Sequence, residues 1–421
     1  MLRTRKSLRT SGRSGQVAAS LAVLALALTA CGGNGEDEGA GAESPADATE
    51  EPAPEDAEGA GEPIKIGLVT DLSGRFVTFG RDIDLATKLA VEQINAEGGI
   101  NGSPLELLVE DTGGEPEAAV GAIRNLAEAG VFAISGPLSS GEAEVAYAQA
   151  PQVQVPLITG TANKEGIADL AEGWAFRNTA TNTALYQAAI PAWRDEYGLS
   201  SAVLVFDESE PVSAAAATTA VPAVAQQVGV EIVNADSPIT FARGQTDFAT
   251  LVQRLRESEA DGLIIMSAPE EAGLIARELQ RQDETRPVLG HPAQGTPSFF
   301  EAGGEQINDW ILPLILNRED PSEKTQAYLD AISARDQEPP TVAEAGNYYD
   351  NIFLLAQVMR AAGIDGSTPP EEARTAIKDG LLELEGFEGV TGTITFGGDP
   401  DAEKTVWVHV VQAGELKLLA Q

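Results

Sequence analysis

The chain has 421 residues, with 65 acidic side chains against 27 basic ones, a formal charge of −38, two histidines and one cysteine. A balance this negative argues against nucleic acid, whose phosphates need a basic footprint, and against electrostatic adhesion to anionic lipid. A lone cysteine excludes an intrachain disulfide and any multi-cysteine metal or cluster site.

Arg3, Arg5, Lys6, Arg9 and Arg13 precede an apolar run over 17–28, and Leu28-Thr29-Ala30-Cys31 closes it. A basic flank, a short apolar helix and small residues at the cut are the layout of an export signal. With the cysteine following them, the segment resembles a bacterial lipoprotein signal. The run is too short to anchor stably across ~30 Å of hydrocarbon, so the leader, 1–30, is expected to be removed. In that pattern the Cys31 thiol carries a diacylglyceryl group, and two or more acyl chains hold a protein stably on a membrane. An ordinary buried thiol is the alternative for a lone cysteine. Residues 31–62 are nearly all Gly, Ala, Glu, Asp, Pro, Ser and Thr, a composition with too little apolar surface to offset the cost of ordering. They read as an acidic tether spanning about 30 Å.

From residue 64 onward, apolar runs bounded by turn residues (64–69, 105–109, 132–134, 157–158) alternate with segments of helical period. Ile83, Leu85, Ala86, Leu89, Ala90 and Ile94 share one helical face, and Gly98-Gly99 ends it. The rhythm restarts at Thr183: helix to 197, strand 202–206, helix 214–228, strand 231–233, helix 248–256, strand 262–266, helix 272–282 and strand 287–289. Such alternation predicts an α/β protein with mostly parallel sheets covered on both faces, and two sets of this size predict two lobes.

Residues 64–69, Leu72-Ser73-Gly74, Phe79-Gly80, Gly98-Gly99-Ile100-Asn101-Gly102 and Glu110-Asp111-Thr112 stand in an order that, with Gly136-Pro137-Leu138-Ser139-Ser140, Phe176-Arg177, Tyr349-Asp350 and 390–396, resembles one family. These are the periplasmic-type solute-binding proteins of the branched-chain amino acid kind, which serve ABC importers. The resemblance implies a two-lobed type I fold with three hinge crossovers, lobe 1 at 63–181 plus 312–393 and lobe 2 at 182–311 plus 394–421. It further implies a monomer outside the cytoplasm, anchored to the membrane through Cys31, that passes a small solute to a permease and needs no cofactor or metal. A ligand-sensing receptor module on the same fold is the alternative, and a lipid-anchored adhesive or structural protein a weaker one.

Open α/β sheets bind ligands beyond the carboxyl ends of their strands, where loop amides and helix N-termini converge. Ser139 and Ser140 follow one strand and precede a helix near Glu142, which suits either a ligand oxygen or a helix cap. The resemblance places a carboxylate-binding serine at Ser140, beside Leu138. Thr161 and Asn163 follow 157–158, where further contacts of the family fall, and also suit a plain turn. Phe79 is either an aromatic cleft wall or loop packing. Tyr348 and Tyr349 open an amphipathic helix, facing cleft or core, with Glu344 just before them.

On the second lobe the resemblance points to residues 290–295, which hold no acid for an ammonium group, and to Pro211 and Ala268 where relatives have aromatics. Gln294 then becomes the expected polar contact there. This favours a ligand with a carboxylate, amide or carbonyl at one end and a neutral group at the other, over a zwitterionic amino acid. No Gly-x-Ser-x-Gly elbow, phosphate loop or His-Glu-x-x-His occurs, and nothing in the sequence pairs His291 with a nucleophile, so no enzyme is expected. Asp399-Pro400-Asp401 reads as a solvated hairpin turn.

Overall fold

The computed structural model describes residues 61–320, 322–335 and 342–420. The expected leader, Cys31 and the tether up to residue 60 lie outside the described residues. Among these residues no helix is long and apolar enough to cross a membrane.

The strand Ile64–Thr70 is buried at six of its seven positions, because helices cover both faces of its sheet and no polar alternation is needed. It pairs in parallel with Leu105–Asp111 on one side and Ala133–Ser135 on the other. Leu157–Thr159 and Ala175–Arg177 extend the sheet, giving the order second-first-third-fourth-fifth. The direction in which successive strands are added therefore reverses at the first strand, and the switch point between the first and third strands opens a crevice at their carboxyl ends. The apolar stripe expected on 83–94 is the inward face of the helix Val77–Ala96, which packs with Ala345–Ala361 in one core.

The second sheet has eight strands. Ser201–Asp207, Gly262–Met266, Val288–Leu289 and Ile311–Leu314 are mutually parallel, and the hairpin Trp407–Gln412 and Glu415–Ala420 closes its edge in antiparallel fashion. The helix expected over 214–228 is found as Pro211–Ala215, a π turn Ala216–Ala220 and Val221–Val228. Pro222, with no N–H to donate, interrupts the regular ladder there. A small antiparallel sheet of Phe387–Gly389, Gly392–Thr395 and Glu403–Lys404 completes the fold.

The chain passes between the two large sheets three times: after Ala175–Arg177, after Ile311–Leu314 and after Glu403–Lys404. Ile394, Phe396 and Ala402 are buried in the first sheet's core. The turn at Asp399-Pro400-Asp401 is more than a solvated hairpin. Asp401 pairs with Arg177, which is fully buried, while Arg177 N–H donates to Pro400 O at 2.8 Å. Desolvation of a cation is costly without a partner, so the first and third passages are tied by a buried charge.

Gly262 starts a central strand directly under Trp193, and a Cβ there would stand 2.4 Å from Trp193 Cζ2. Gly262→Val is expected to lower stability by roughly 1–3 kcal/mol through overpacking, measured by urea unfolding. An unchanged midpoint would mean the indole moves aside at no cost.

Candidate functional site

After Ala133–Ser135, the four residues Gly136, Pro137, Leu138 and Ser139 lead the chain into the helix Ser140–Tyr147. Gly136 has φ 118°, and a Cβ on it would lie 2.2 Å from Val69 O, so no other residue fits. The following carbonyls are pinned by hydroxyls: Thr159 Oγ1 and Tyr348 OH donate to Pro137 O at 2.8 and 3.2 Å, and Thr161 Oγ1 donates to Leu138 O.

Ser139 forms a full capping box. Its Oγ donates to Glu142 Oε2 at 2.6 Å and accepts from Glu142 N, while its own N–H donates to the same carboxylate at 2.9 Å. Its hydroxyl proton is thus used within the helix. The N–H groups of Ser140 and Gly141, which have no intrahelical acceptor, carry the positive end of the helix dipole at this point.

Glu142 is fully buried behind that helix start, as is Asp71 at the end of Ile64–Thr70. Thr112 Oγ1 lies 2.6 Å from Asp71 Oδ1 and within hydrogen-bond reach of Glu142 Oε1. One hydroxyl has one proton, so it donates fully to only one of the two carboxylates at a time. Burial, reinforced by the Glu142 charge, pushes the Asp71 carboxyl up to about 7.

A cleft of about 750 Å³ lies between the carboxyl edges of the two sheets. From the first sheet it is lined by Phe79, Leu138, Ser139, Ser140, Thr161 and Asn163, and from the second by Ala268. Seven of the nine expected contacts are therefore brought together. Phe79 stands edge-on to Phe76, centroids 6.4 Å apart, and the Asn163 amide donates to Ala180 O at 2.7 Å, spanning to the first passage. Glu344 also lines the cleft, with burial raising its pKa to about 7.

Two expected contacts lie elsewhere. Tyr348 has no exposed surface, and its hydroxyl meets Thr161 Oγ1 at 3.0 Å, so it braces the wall from behind. Gln294 is also fully buried. Its Oε1 accepts from His291 N, and its Nε2 donates to Ile265 O and Ser267 O, both at 3.2 Å. An amide saturated in this way has nothing left for a ligand.

The second-sheet wall does contain acids. Glu210, just after Ser201–Asp207, and Glu271, in the first turn of the helix Pro269–Arg281, line the cleft at 7% exposure each. Ser213 N donates to Glu210 Oε2 at 2.6 Å and Gly244 N to Glu271 Oε1 at 2.9 Å. The stretch 290–295 is not where the acidity of this wall resides. It comes from two other strand ends, which only the sheet order makes neighbours. Glu210 and Glu271 are thus the residues the sequence pattern missed; their one local signal is an acid immediately after an apolar strand or just inside the following helix.

Residues 63–415 match the model of the periplasmic binding protein family. The chain belongs to that family. As a periplasmic binding protein it is similar to the Leu/Ile/Val-binding protein BraC3 of Rhizobium johnstonii, 25% identical over 80% of this chain and 88% of the relative. It is likewise similar to the leucine-, isoleucine-, valine-, threonine- and alanine-binding protein of Pseudomonas aeruginosa, 23% identical over 80% and 86%. Among solved structures, the branched-chain amino acid substrate-binding protein LivJ of Streptococcus pneumoniae, complexed with isoleucine, superposes with a TM-score of 0.73 at 26% identity, covering 85% of this chain and 98% of that one. The family is one of extracytoplasmic solute-binding proteins, which are not enzymes.

A raised carboxyl pKa binds a proton in the folded state at pH values where the unfolded chain has released it. The stability it contributes is therefore complete below about pH 4 and is lost as pH rises through about 7. The two buried histidines, lowered to about 4, act in the opposite sense up to about pH 6.5, so the melting temperature of this periplasmic binding protein is expected to fall between about pH 6.5 and 8. Asp71→Asn is expected to flatten part of that slope, Glu344 contributing as well. A slope unchanged by the substitution would remove the proton from Asp71.

Proposed function

We propose that the chain is a lipid-anchored, extracytoplasmic solute-binding protein that captures a free amino acid between two lobes and delivers it to an ABC importer. The observation that carries this reading is the opposite polarity of the two cleft walls. The first-sheet wall offers Ser140 and the start of the Ser140–Tyr147 helix to a carboxylate, and the second-sheet wall offers Glu210 and Glu271 to an ammonium group. A zwitterion pairs with both, and a buried charge without a partner is costly. The family name and the amino-acid-binding relatives support the same reading.

The lobes of this proposal follow the sheets. Lobe 1 runs to the first passage near 181 and resumes after Ile311–Leu314, keeping 394–404, and lobe 2 takes the remainder. A ligand touching both walls shifts the equilibrium toward a closed form, since only differential contact can do so. The leader at 1–30, the acyl group on Cys31 and the tether complete the proposal, which rests for these parts on the sequence pattern alone.

A thermal-shift panel tests the ligand class. At 100 times its dissociation constant a ligand adds about 2.7 kcal/mol to the folded state, so free amino acids are expected to raise the melting temperature, while their N-acetylated forms and simple carboxylates do not. Equal stabilisation by N-acetyl derivatives would sink the ammonium assignment to Glu210 and Glu271. Ser140→Ala is expected to weaken the best amino acid several-fold with little change in the unliganded melting temperature.

Membrane attachment is tested separately. Cys31→Ser, expressed with its leader in a bacterial host, is expected to move the protein from the membrane fraction to the soluble extracytoplasmic fraction. Retention in the membrane would overturn lipidation at Cys31.

A further inference from the structure

The cleft contains one buried donor that the polarity of its walls does not use. His291 lines the cleft at 5% exposure, and its Nε2 is buried without a hydrogen-bond partner among the described residues. Its Nδ1 accepts from Ala293 N at 3.2 Å, which leaves that nitrogen unprotonated and puts the ring proton of the neutral imidazole on Nε2. Burial lowers the pKa of the ring to about 4 against the opposing pull of Glu210, so the neutral form holds at physiological pH.

The ring is not free to turn away. His291 caps the short turn Pro292–Gln294, and the Gln294 side chain clamps it: Oε1 accepts from His291 N at 3.0 Å, while Nε2 binds the carbonyls of Ile265 and Ser267 on the neighbouring strand end. This amide, at a position with no room for a ligand, fixes the His291 backbone, and the Ala293 N–H on Nδ1 holds the ring.

We propose that His291 sets specificity: Nε2–H donates to an uncharged oxygen on the solute's side chain, so the cleft takes an amino acid with a neutral polar side chain, of the glutamine kind, in preference to an aliphatic one. This rests on the amino-acid reading above and narrows it. The donor is already desolvated and unpaired before binding, so an oxygen that accepts from it gains a buried hydrogen bond, roughly ten- to a hundred-fold in affinity, while an aliphatic side chain leaves it unpaired and gains nothing there. A carboxylate side chain would satisfy the donor but meet a wall where Glu210, Glu270, Glu271 and Glu301 outnumber Arg243, itself beside Asp207 at 3.8 Å, so an amide or hydroxyl oxygen fits where a further negative charge does not.

The test is calorimetric titration of the mature chain with L-glutamine, L-norleucine and L-glutamate, side chains of similar length that differ in the far atoms. L-glutamine is expected to bind at least ten-fold tighter than either of the others, and His291→Phe is expected to bring glutamine and norleucine within about three-fold of each other. Because His291 is buried, a spectroscopic reading on the unmodified chain stands beside the variant. The chain has only two histidines, and His409 sits in the strand Trp407–Gln412 at 2% exposure, away from the cleft lining. In a long-range proton–nitrogen spectrum, saturation with glutamine is expected to shift the His291 Nε2 resonance and leave that of His409 in place. Tighter binding of norleucine, or an unmoved His291 resonance under glutamine saturation, overturns this inference and leaves the amino-acid reading standing. Failure of all three amino acids to bind overturns that reading, and this inference with it.

Discussion

The placement of Pro137, Leu138 and Ser139 is the constraint on which the candidate site depends. This segment leaves a buried strand, turns at a glycine that touches Val69 O, and must deliver a helix start to a fixed point at the crevice. Hydroxyls from Thr159, Thr161 and Tyr348 hold its carbonyls. Tyr147 closes the circuit, its OH donating to Phe176 O at 2.8 Å and accepting from Thr159 N at 2.9 Å. Three strands and the Ala345–Ala361 helix are thereby registered against one helix terminus. Buried side-chain to backbone bonds of this kind cost the full desolvation penalty when broken, so the wall behaves as one rigid piece.

The acid pair behind that terminus belongs to the same logic. Glu142 satisfies the N–H and hydroxyl of Ser139, which requires a carboxylate at the base of an anion-attracting helix end. Two full charges there would cancel the positive end that attracts an anion. Burial and the Glu142 charge push the Asp71 carboxyl toward its neutral form, which leaves that end less negative.

Across the cleft the second sheet contributes acids, Arg243 and a neutral imidazole, while the first side contributes hydroxyls, amides, Arg81 and Glu344. On the proposed reading neither wall alone suffices, since each would satisfy one end of a dipolar solute. The passages between sheets carry their own polar ties, including the buried Arg177 with Asp401, and the Asn178 amide, which donates to Asn347 O at 3.2 Å and to Asn351 Oδ1 at 2.9 Å. Such ties let the two sheets be joined by short segments with the charge of Arg177 paired.

The sequence by itself determined the alternation of buried strands with amphipathic helices, and hence the fold class, because a parallel strand covered on both faces is a continuous apolar run and its helices carry a one-sided stripe. It also marked Ser140 and Thr161, which follow strand ends where the local pattern is strong, whereas Phe79, inside the helix Val77–Ala96, was marked by the family resemblance. Short strands such as Ile239–Phe241 and Ile311–Leu314 carry too few residues for a period to register. Only the tertiary structure decided which strand ends meet. Glu210, Glu271 and His291 follow three different strands, and their convergence depends on sheet order. It also decided which polar side chains are already satisfied: Gln294 and Tyr348 look like ligand contacts along the chain, yet buried carbonyls and hydroxyls far away in sequence had claimed their hydrogen-bonding capacity.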